Sequence, residues 1–277
     1  MHDEPITPHA APVLDGDGRL TYIGEDGRRY IVAAAPLRQA GAMARPAACL
    51  FDLDGLLLDT EPLHSRAWRE AAARFARQLS VAELLELRGR RRGENGEQVR
   101  RWIAEAGVDP PSVEELLAVQ QPIARRLLGQ APAMPGAREL VARCGELGIP
   151  TALVTSSSQA SLAVKCAGHP WLAAMEPMVL GDDPELAAGK PAPDPFLLAA
   201  RRLGVAAEAC WAFEDSPAGA RSAAAAGCRV HVLVPSDLTP EQVMELYDAS
   251  WVMLTSLTDV RLQGGSGGWG PGLSGGG

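Results

Sequence analysis

The chain has 277 residues, 47% of them hydrophobic and 22% charged, with a formal net charge of −8. That is the balance of a soluble globular protein, and its acidity argues against a nucleic-acid-binding surface. No run approaches the roughly 18 consecutive apolar residues of a membrane span. The acidic start, Met1-His2-Asp3-Glu4-Pro5, has neither the apolar centre of a secretory signal nor the arginines of a transit peptide. Cys49, Cys144, Cys166, Cys210 and Cys228 are odd in number, scattered and without metal-ligand spacing. Reduced thiols and a cytoplasmic location are the expectation.

Residues 1–42 are rich in Pro, Gly and Asp, and their one periodic piece, Leu20 to Val32, reads as a small hairpin turning at Gly24 to Gly27. The functional domain is expected to begin near Met43. Ala48 to Leu50 are apolar on both faces, as in a parallel strand covered by helices on each side, and the run stops at Asp52-Leu-Asp54-Gly55. Asp-x-Asp-Gly is an ordinary turn as readily as a pair of working carboxylates. A helical pattern follows through Leu63, Ala67, Trp68, Ala71, Phe75 and Leu79, with Thr60 as N-cap and Pro62 in the first turn. Further helices are expected at Val81 to Leu87, Glu97 to Ala106 and Val113 to Leu128. Residues 62–130 thus form an all-helical cap inserted into a core made of 43–61 and 131–260.

From Pro135 helices and strands alternate. Strands are expected at Thr151 to Val154, Met178 to Leu180, Cys210 to Phe213, Arg229 to Val234 and Trp251 to Leu254. Helices are expected at Ala137 to Leu147, up to Cys166, from Lys190-Pro-Ala-Pro-Asp194 to Leu203, at Pro217 to Ala226 and at Thr239 to Leu246. The fold class is α/β, a doubly wound parallel sheet. Residues 261–277, rich in Gly and Ser, are expected to be disordered.

Four strand ends or the loops after them carry polar groups: Asp52 with Asp54, Thr155 to Ser158, Lys190, and Glu214 with Asp215. The carboxyl ends of parallel strands share one edge, so these groups can converge there. Clustered carboxylates need a cation, and an oxygen-only set suits Mg²⁺. Taken singly, the serines are helix caps, Lys190 a solvated lysine, and Glu214-Asp215-Ser216 an N-terminal cap. Those separate readings leave unexplained why the four recur at one edge.

Phe51-Asp-Leu-Asp-Gly-Leu-Leu-Leu-Asp-Thr-Glu61, Leu153-Val-Thr-Ser156, Gly189-Lys-Pro-Ala-Pro-Asp194 and Phe213-Glu-Asp-Ser-Pro-Ala-Gly219 together resemble the motifs of the haloacid dehalogenase superfamily. The group resembled has a helical cap after the first strand, and the likeness covers about residues 46 to 255. The resemblance implies that Asp52 is a nucleophile forming an aspartyl-phosphate. Asp54 is then general acid/base and a Mg²⁺ ligand through its backbone carbonyl. Thr155, Ser156 and Lys190 hold the transferring phosphoryl group, and Asp52, Glu214 and Asp215 complete the metal site. The true dehalogenases of that superfamily lack an aspartate where Asp54 stands, so phosphate chemistry is expected.

His64-Ser-Arg66-Ala-Trp68 is similar to the cap entrance of β-phosphoglucomutases, where a histidine positions the acid/base aspartate; a surface histidine on an amphipathic helix is the alternative. Leu87-Arg-Gly-Arg-Arg-Arg92-Gly93 is a basic turn in which Arg92 resembles an arginine binding a distal phosphate. Ser157 is a candidate for the same distal group. The mutases resembled carry lysine and asparagine where Ser158 and Gln159 lie. A monomeric phosphatase acting on a small phosphorylated metabolite, a phosphosugar, is therefore favoured. A phosphosugar mutase is the runner-up, and a non-catalytic phosphometabolite-binding protein the reading from a different class.

Overall fold

The computed structural model describes residues 13–14, 20–23, 29–33, 45–87 and 92–262. Met43, residues 88–91 of the basic turn and the Gly-rich tail beyond 262 lie outside the described residues. Near the N-terminus, β1 (Val13–Leu14), β2 (Leu20–Ile23) and β3 (Arg29–Ala33) form a small antiparallel sheet. β2 and β3 pair antiparallel, with Tyr22 opposite Tyr30, while the turn expected at Gly24 to Gly27 lies outside the described residues.

The main sheet has six parallel strands in the order β6-β5-β4-β7-β8-β9: Met178–Val179, Thr151–Val154, Ala48–Phe51, Cys210–Glu214, Arg229–Leu233 and Val252–Leu254. Chain order reverses at β4, because β5 and β6 build outward on one side and β7 to β9 on the other. Such a switch point opens a crevice at the carboxyl ends of the strands. Successive residues of β4 enter opposite cores. Ala48 and Leu50 pack with Phe196, Ala220 and Val243, on α7 (Asp194–Leu203), α8 (Pro217–Ala225) and α9 (Pro240–Leu246). Cys49 and Phe51 pack with Leu140 and Leu162, on α5 (Ala137–Glu146) and α6 (Gln159–Cys166). Alternation across a doubly covered strand produces this, and it explains why β4 is apolar throughout. All five cysteines are free thiols. No helix of the described residues is long and apolar enough to cross a membrane.

Between β4 and β5 lie α1 (Glu61–Ala73), α2 (Val81–Glu86), α3 (Arg92–Glu105) and α4 (Val113–Leu128). They share a core of Trp68, Ala72, Leu84, Val99, Trp102, Ile103 and Leu116. Two details depart from expectation. Helix α3 starts at Arg92, five residues before the expected Glu97. Gly96, which reads locally as a breaker, lies where a Cβ would come 2.9 Å from Val113 Cγ1, so the glycine admits α4 at close range. Asn95 Nδ2 also ties this first turn to the Leu87 carbonyl at 2.9 Å. Thr60 precedes α1 as expected, but its backbone is helical and its buried Oγ1 makes no capping bond.

One buried group on β8 carries a stability prediction. His231 is 3% exposed, its ring lying 4.8 Å from those of both Phe213 and Trp211, and its buried Nδ1 has no hydrogen-bond partner among the described residues. Burial, helped by the Arg229 charge, lowers its pKa to about 3. The unfolded chain therefore binds a proton that the folded protein refuses. The stability contribution is full above the ordinary histidine value and is lost as pH falls from there toward about 3. His231→Phe is expected to shrink the stability difference between pH 8 and pH 5 by about 2 kcal/mol, read from urea midpoints. An unchanged difference would contradict this.

Candidate active site

The site is assembled where β4, β5 and β7 end. Pairing with β7 continues one residue past β4, as Asp52 N donates to the Phe213 carbonyl at 3.0 Å. The chain then turns sharply. Leu57 N and Leu58 N both donate to the Leu53 carbonyl (3.0 and 2.9 Å), and Gly55 N donates to that of Leu58 at 2.8 Å. Gly55 sits at φ +78°, and a Cβ there would lie 2.0 Å from Asp215 Oδ2. Only glycine satisfies both the left-handed backbone and that approach.

From β7 come Glu214, fully buried, and Asp215, 8% exposed. Ser216 caps α8 by accepting from Gly219 N at 3.0 Å. A Cβ on Gly219 would fall 2.0 Å from Glu214 Oε1, so the first turn of α8 closes directly over that carboxylate. The Tyr247 hydroxyl donates to the backbone carbonyl of Asp215. Lys190, in the loop before α7, ties the strand ends together. Its Nζ donates to Asp52 Oδ1 at 2.6 Å, to the Val154 carbonyl at 2.9 Å and to Glu214 Oε1.

Oxygens of Asp52, Glu214 and Asp215 lie within 4.8 Å of one another. Against these three buried carboxylates stands the one ammonium of Lys190. Burial pushes Asp52 up to about 7; Lys190 offsets this in part, while the Glu214 and Asp54 charges add to it. Asp215 is raised well above the carboxylate range, by burial first and then by Asp52 and Glu214. In Lys190 the attraction of Asp52 and Glu214 outweighs burial, so its pKa is raised and it stays charged. Two Asp and one Glu converging with surplus negative charge fit a hard, oxygen-seeking cation.

Asp54 faces away from that cluster. Its carboxylate, about a quarter exposed, takes Lys165 Nζ on both oxygens, at 2.6 Å (Oδ1) and 2.7 Å (Oδ2), and the Ser157 hydroxyl on Oδ2 at 2.9 Å. His64 Nε2 stands 3.9 Å from Oδ1, beyond hydrogen-bond length but close enough for charge attraction. Burial acts to raise the Asp54 pKa, but Lys165 and His64 overcome it and hold the group well below the carboxylate range. Thr155, buried at the end of β5, donates its backbone N–H to the Val179 carbonyl (3.0 Å), and its Oγ1 accepts from Ser157 N at 3.1 Å. Ser156 is exposed beside it.

Asp52, Lys190, Glu214 and Asp215 are thus brought together, with Asp54, His64 and Ser157 as a neighbouring group. Ser157, expected near a distal phosphate, has its hydroxyl between Asp54 and Lys165. Arg92 stands exposed at the first residue of α3, outside both groups. Lys165 escaped the sequence reading. The signal is a lysine three residues after Leu162, hence on the buried face of the short apolar helix α6, where an unpaired charge does not stay.

An open parallel sheet with buried carboxylates and a lysine at its switch point is an α/β core whose site suits an anionic group and a cation. The comparisons narrow the class. Residues 46–227 match the family model described as haloacid dehalogenase-like hydrolase, and the chain belongs to that family. It is 34% identical over 217 residues to (DL)-glycerol-3-phosphatase 2 of Arabidopsis thaliana, covering 76% of this chain and 88% of that protein. It is 35% identical over 190 residues to hexitol phosphatase A of Escherichia coli, covering 68% and 83%. The crystal structure of CbbY from Rhodobacter sphaeroides with phosphate superposes with a TM-score of 0.62 at 29% identity, covering 77% of this chain and 96% of that one.

Proposed function

We propose that this chain is a Mg²⁺-dependent phosphatase that hydrolyses a small phosphorylated metabolite, a phosphosugar by class, through an aspartyl-phosphate on Asp52. The observation that carries this reading is the buried group of Asp52, Glu214, Asp215 and Lys190 at the switch point, with Asp54 beside it. Asp52, Glu214 and Asp215, with the backbone carbonyl of Asp54, would hold the cation, which neutralises phosphoryl charge when bound. The chain does the rest. Thr155, Ser156 and Lys190 bind the phosphoryl oxygens, and Lys190 keeps the Asp52 carboxylate aimed.

An oxygen of Asp52 attacks phosphorus, the P–O bond to the metabolite breaks, and Asp54, ionised at rest between Lys165 and His64, hands the leaving oxygen a proton that it takes up as the protonated phosphate monoester binds. Water then attacks the same phosphorus and gives its proton back to Asp54. The P–O bond to Asp52 breaks, and inorganic phosphate leaves. Relatives named for glycerol 3-phosphate and hexitol phosphates support a small phosphorylated polyol or sugar. We also read the enzyme as a cytoplasmic monomer, residues 62–130 as its cap over the core, and His64 and Arg92 as cap residues facing the substrate. A phosphosugar mutase must hold a second phosphate, and here Ser157 and Lys165 are both engaged with Asp54, which favours the phosphatase.

A panel of phosphorylated metabolites tests this. Phosphate release is expected with Mg²⁺, lost with chelator and restored on adding Mg²⁺ back. Incubation of β-glucose 1-phosphate with glucose 1,6-bisphosphate is expected to yield no sustained glucose 6-phosphate. Steady conversion there would replace hydrolysis by phosphoryl return to the sugar, and metal-independent release would remove the cation from the account.

A further inference from the structure

Lys165 is 2% exposed, yet it reaches a carboxylate that is itself open to solvent. It lies in the last turn of α6, and helical side chains lean toward the helix N-terminus. Its stem therefore runs back through the apolar packing beside Leu162 and delivers the ammonium to the loop that opens the helix. There its three N–H donors meet three acceptors: Asp54 Oδ1 (2.6 Å), Asp54 Oδ2 (2.7 Å) and Ser157 Oγ (2.7 Å). The Ser157 hydroxyl in turn donates to Asp54 Oδ2 at 2.9 Å, which closes a ring of charge-assisted bonds. Every donor of the lysine is used, so none is left for a substrate. The carboxylate is gripped on both oxygens, with His64 Nε2 3.9 Å from Oδ1.

A buried ion pair is a poor device for stability, because an apolar pair of similar volume serves as well or better. Fixing the direction of one carboxylate is what this arrangement does. Resting on the proposed phosphatase chemistry, we propose that Lys165, braced by Ser157, is a positioning residue that holds Asp54 where it exchanges protons with the leaving oxygen and with the attacking water.

The two proton transfers separate by choice of substrate. An aryl phosphate such as 4-nitrophenyl phosphate leaves without needing a proton, so only hydrolysis of the aspartyl-phosphate depends on Asp54. Lys165→Met is then expected to release one equivalent of nitrophenol in a burst and to turn over about 100-fold more slowly than wild type. Glycerol 3-phosphate, whose leaving oxygen must be protonated, is expected to give slow turnover with no burst. In an Asp54→Asn background Lys165→Met is expected to cost nothing further, since residues acting through one another are not additive. Ser157→Ala keeps the buried charge pair and is expected to show the same burst with a smaller loss.

Wild-type steady-state turnover without a burst in either variant, or a full additional loss in the Asp54→Asn background, would overturn the proposal. The contact is also read without turnover. The ¹⁵Nζ resonance of Lys165, shielded from water, should be visible in the wild type and lost in Asp54→Asn. Its absence from the wild type would overturn the proposal as well. Activity that survives Asp52→Asn would instead remove the phosphatase chemistry, so the two failures are told apart.

Discussion

Asp52→Asn is expected to lower phosphatase turnover by at least about 10⁴-fold while leaving the protein as stable as wild type or more so. The first effect follows from the group removed. An amide is no nucleophile toward phosphorus, and losing a residue that makes and breaks the reacting bond costs on this scale. The second follows from its surroundings. Asp52 is held at about 7 by burial and by its acidic neighbours, with Lys190 offsetting only part of that. Its protonated form therefore contributes to stability, fully below the ordinary carboxylate value, and that contribution is lost as pH rises through about 7. A neutral side chain of the same shape escapes the penalty. Activity and thermal midpoint measured side by side at pH 8 in metal-free buffer should move in opposite directions or activity alone should fall. A variant losing both together would place Asp52 in the fold rather than in the chemistry.

Lys190→Met is expected to be the most damaging single change in both respects. The ammonium reaches Asp52, Glu214 and the Val154 carbonyl. Removing it leaves three buried carboxylates with no cationic side chain from the described residues among them. Breaking a buried pair from one side costs about 3–5 kcal/mol. The loss should be largest at pH 8, where Asp52 is charged, and smaller at pH 5, where Asp52 carries a proton. Urea midpoints at the two pH values, with chelator and with Mg²⁺, check this. Mg²⁺ should recover part of the stability and little of the turnover, because the phosphoryl group still lacks its lysine. Equal losses at both pH values would show that the lysine acts through packing rather than charge.

Much of the fold was legible because its signals are local and repeated. Short apolar runs ending in polar residues, separated by amphipathic helices, leave little choice but a parallel sheet. Right-handed crossovers then return every strand to the same edge. That is why Asp52, Thr155 and Glu214, far apart in sequence, stand together, with Lys190 in a loop over the same edge. What local patterns concealed depends on packing between elements. Gly96 reads as a helix breaker until α4 is placed against it. Thr60 has the residue type and position of a cap, but its backbone is helical and its buried hydroxyl makes no capping bond. Lys165 lies in an apolar helix with no motif around it, and only the turn of α6 against the Asp54 loop shows what holds its charge. Arg92 belongs to a basic run whose residues 88–91 lie outside the described residues; Arg92 itself is exposed at the start of α3.

The central claim is that a phosphoryl group rests on Asp52 during turnover. Quenching the protein in acid while it hydrolyses an excess of 4-nitrophenyl phosphate with Mg²⁺, then reducing with borohydride, converts an aspartyl-phosphate to homoserine. Peptide mass spectrometry is predicted to find homoserine at position 52 in the wild type, and more of it in Lys165→Met. Unmodified Asp52 in a turning-over sample, or homoserine at another aspartate, would contradict the account.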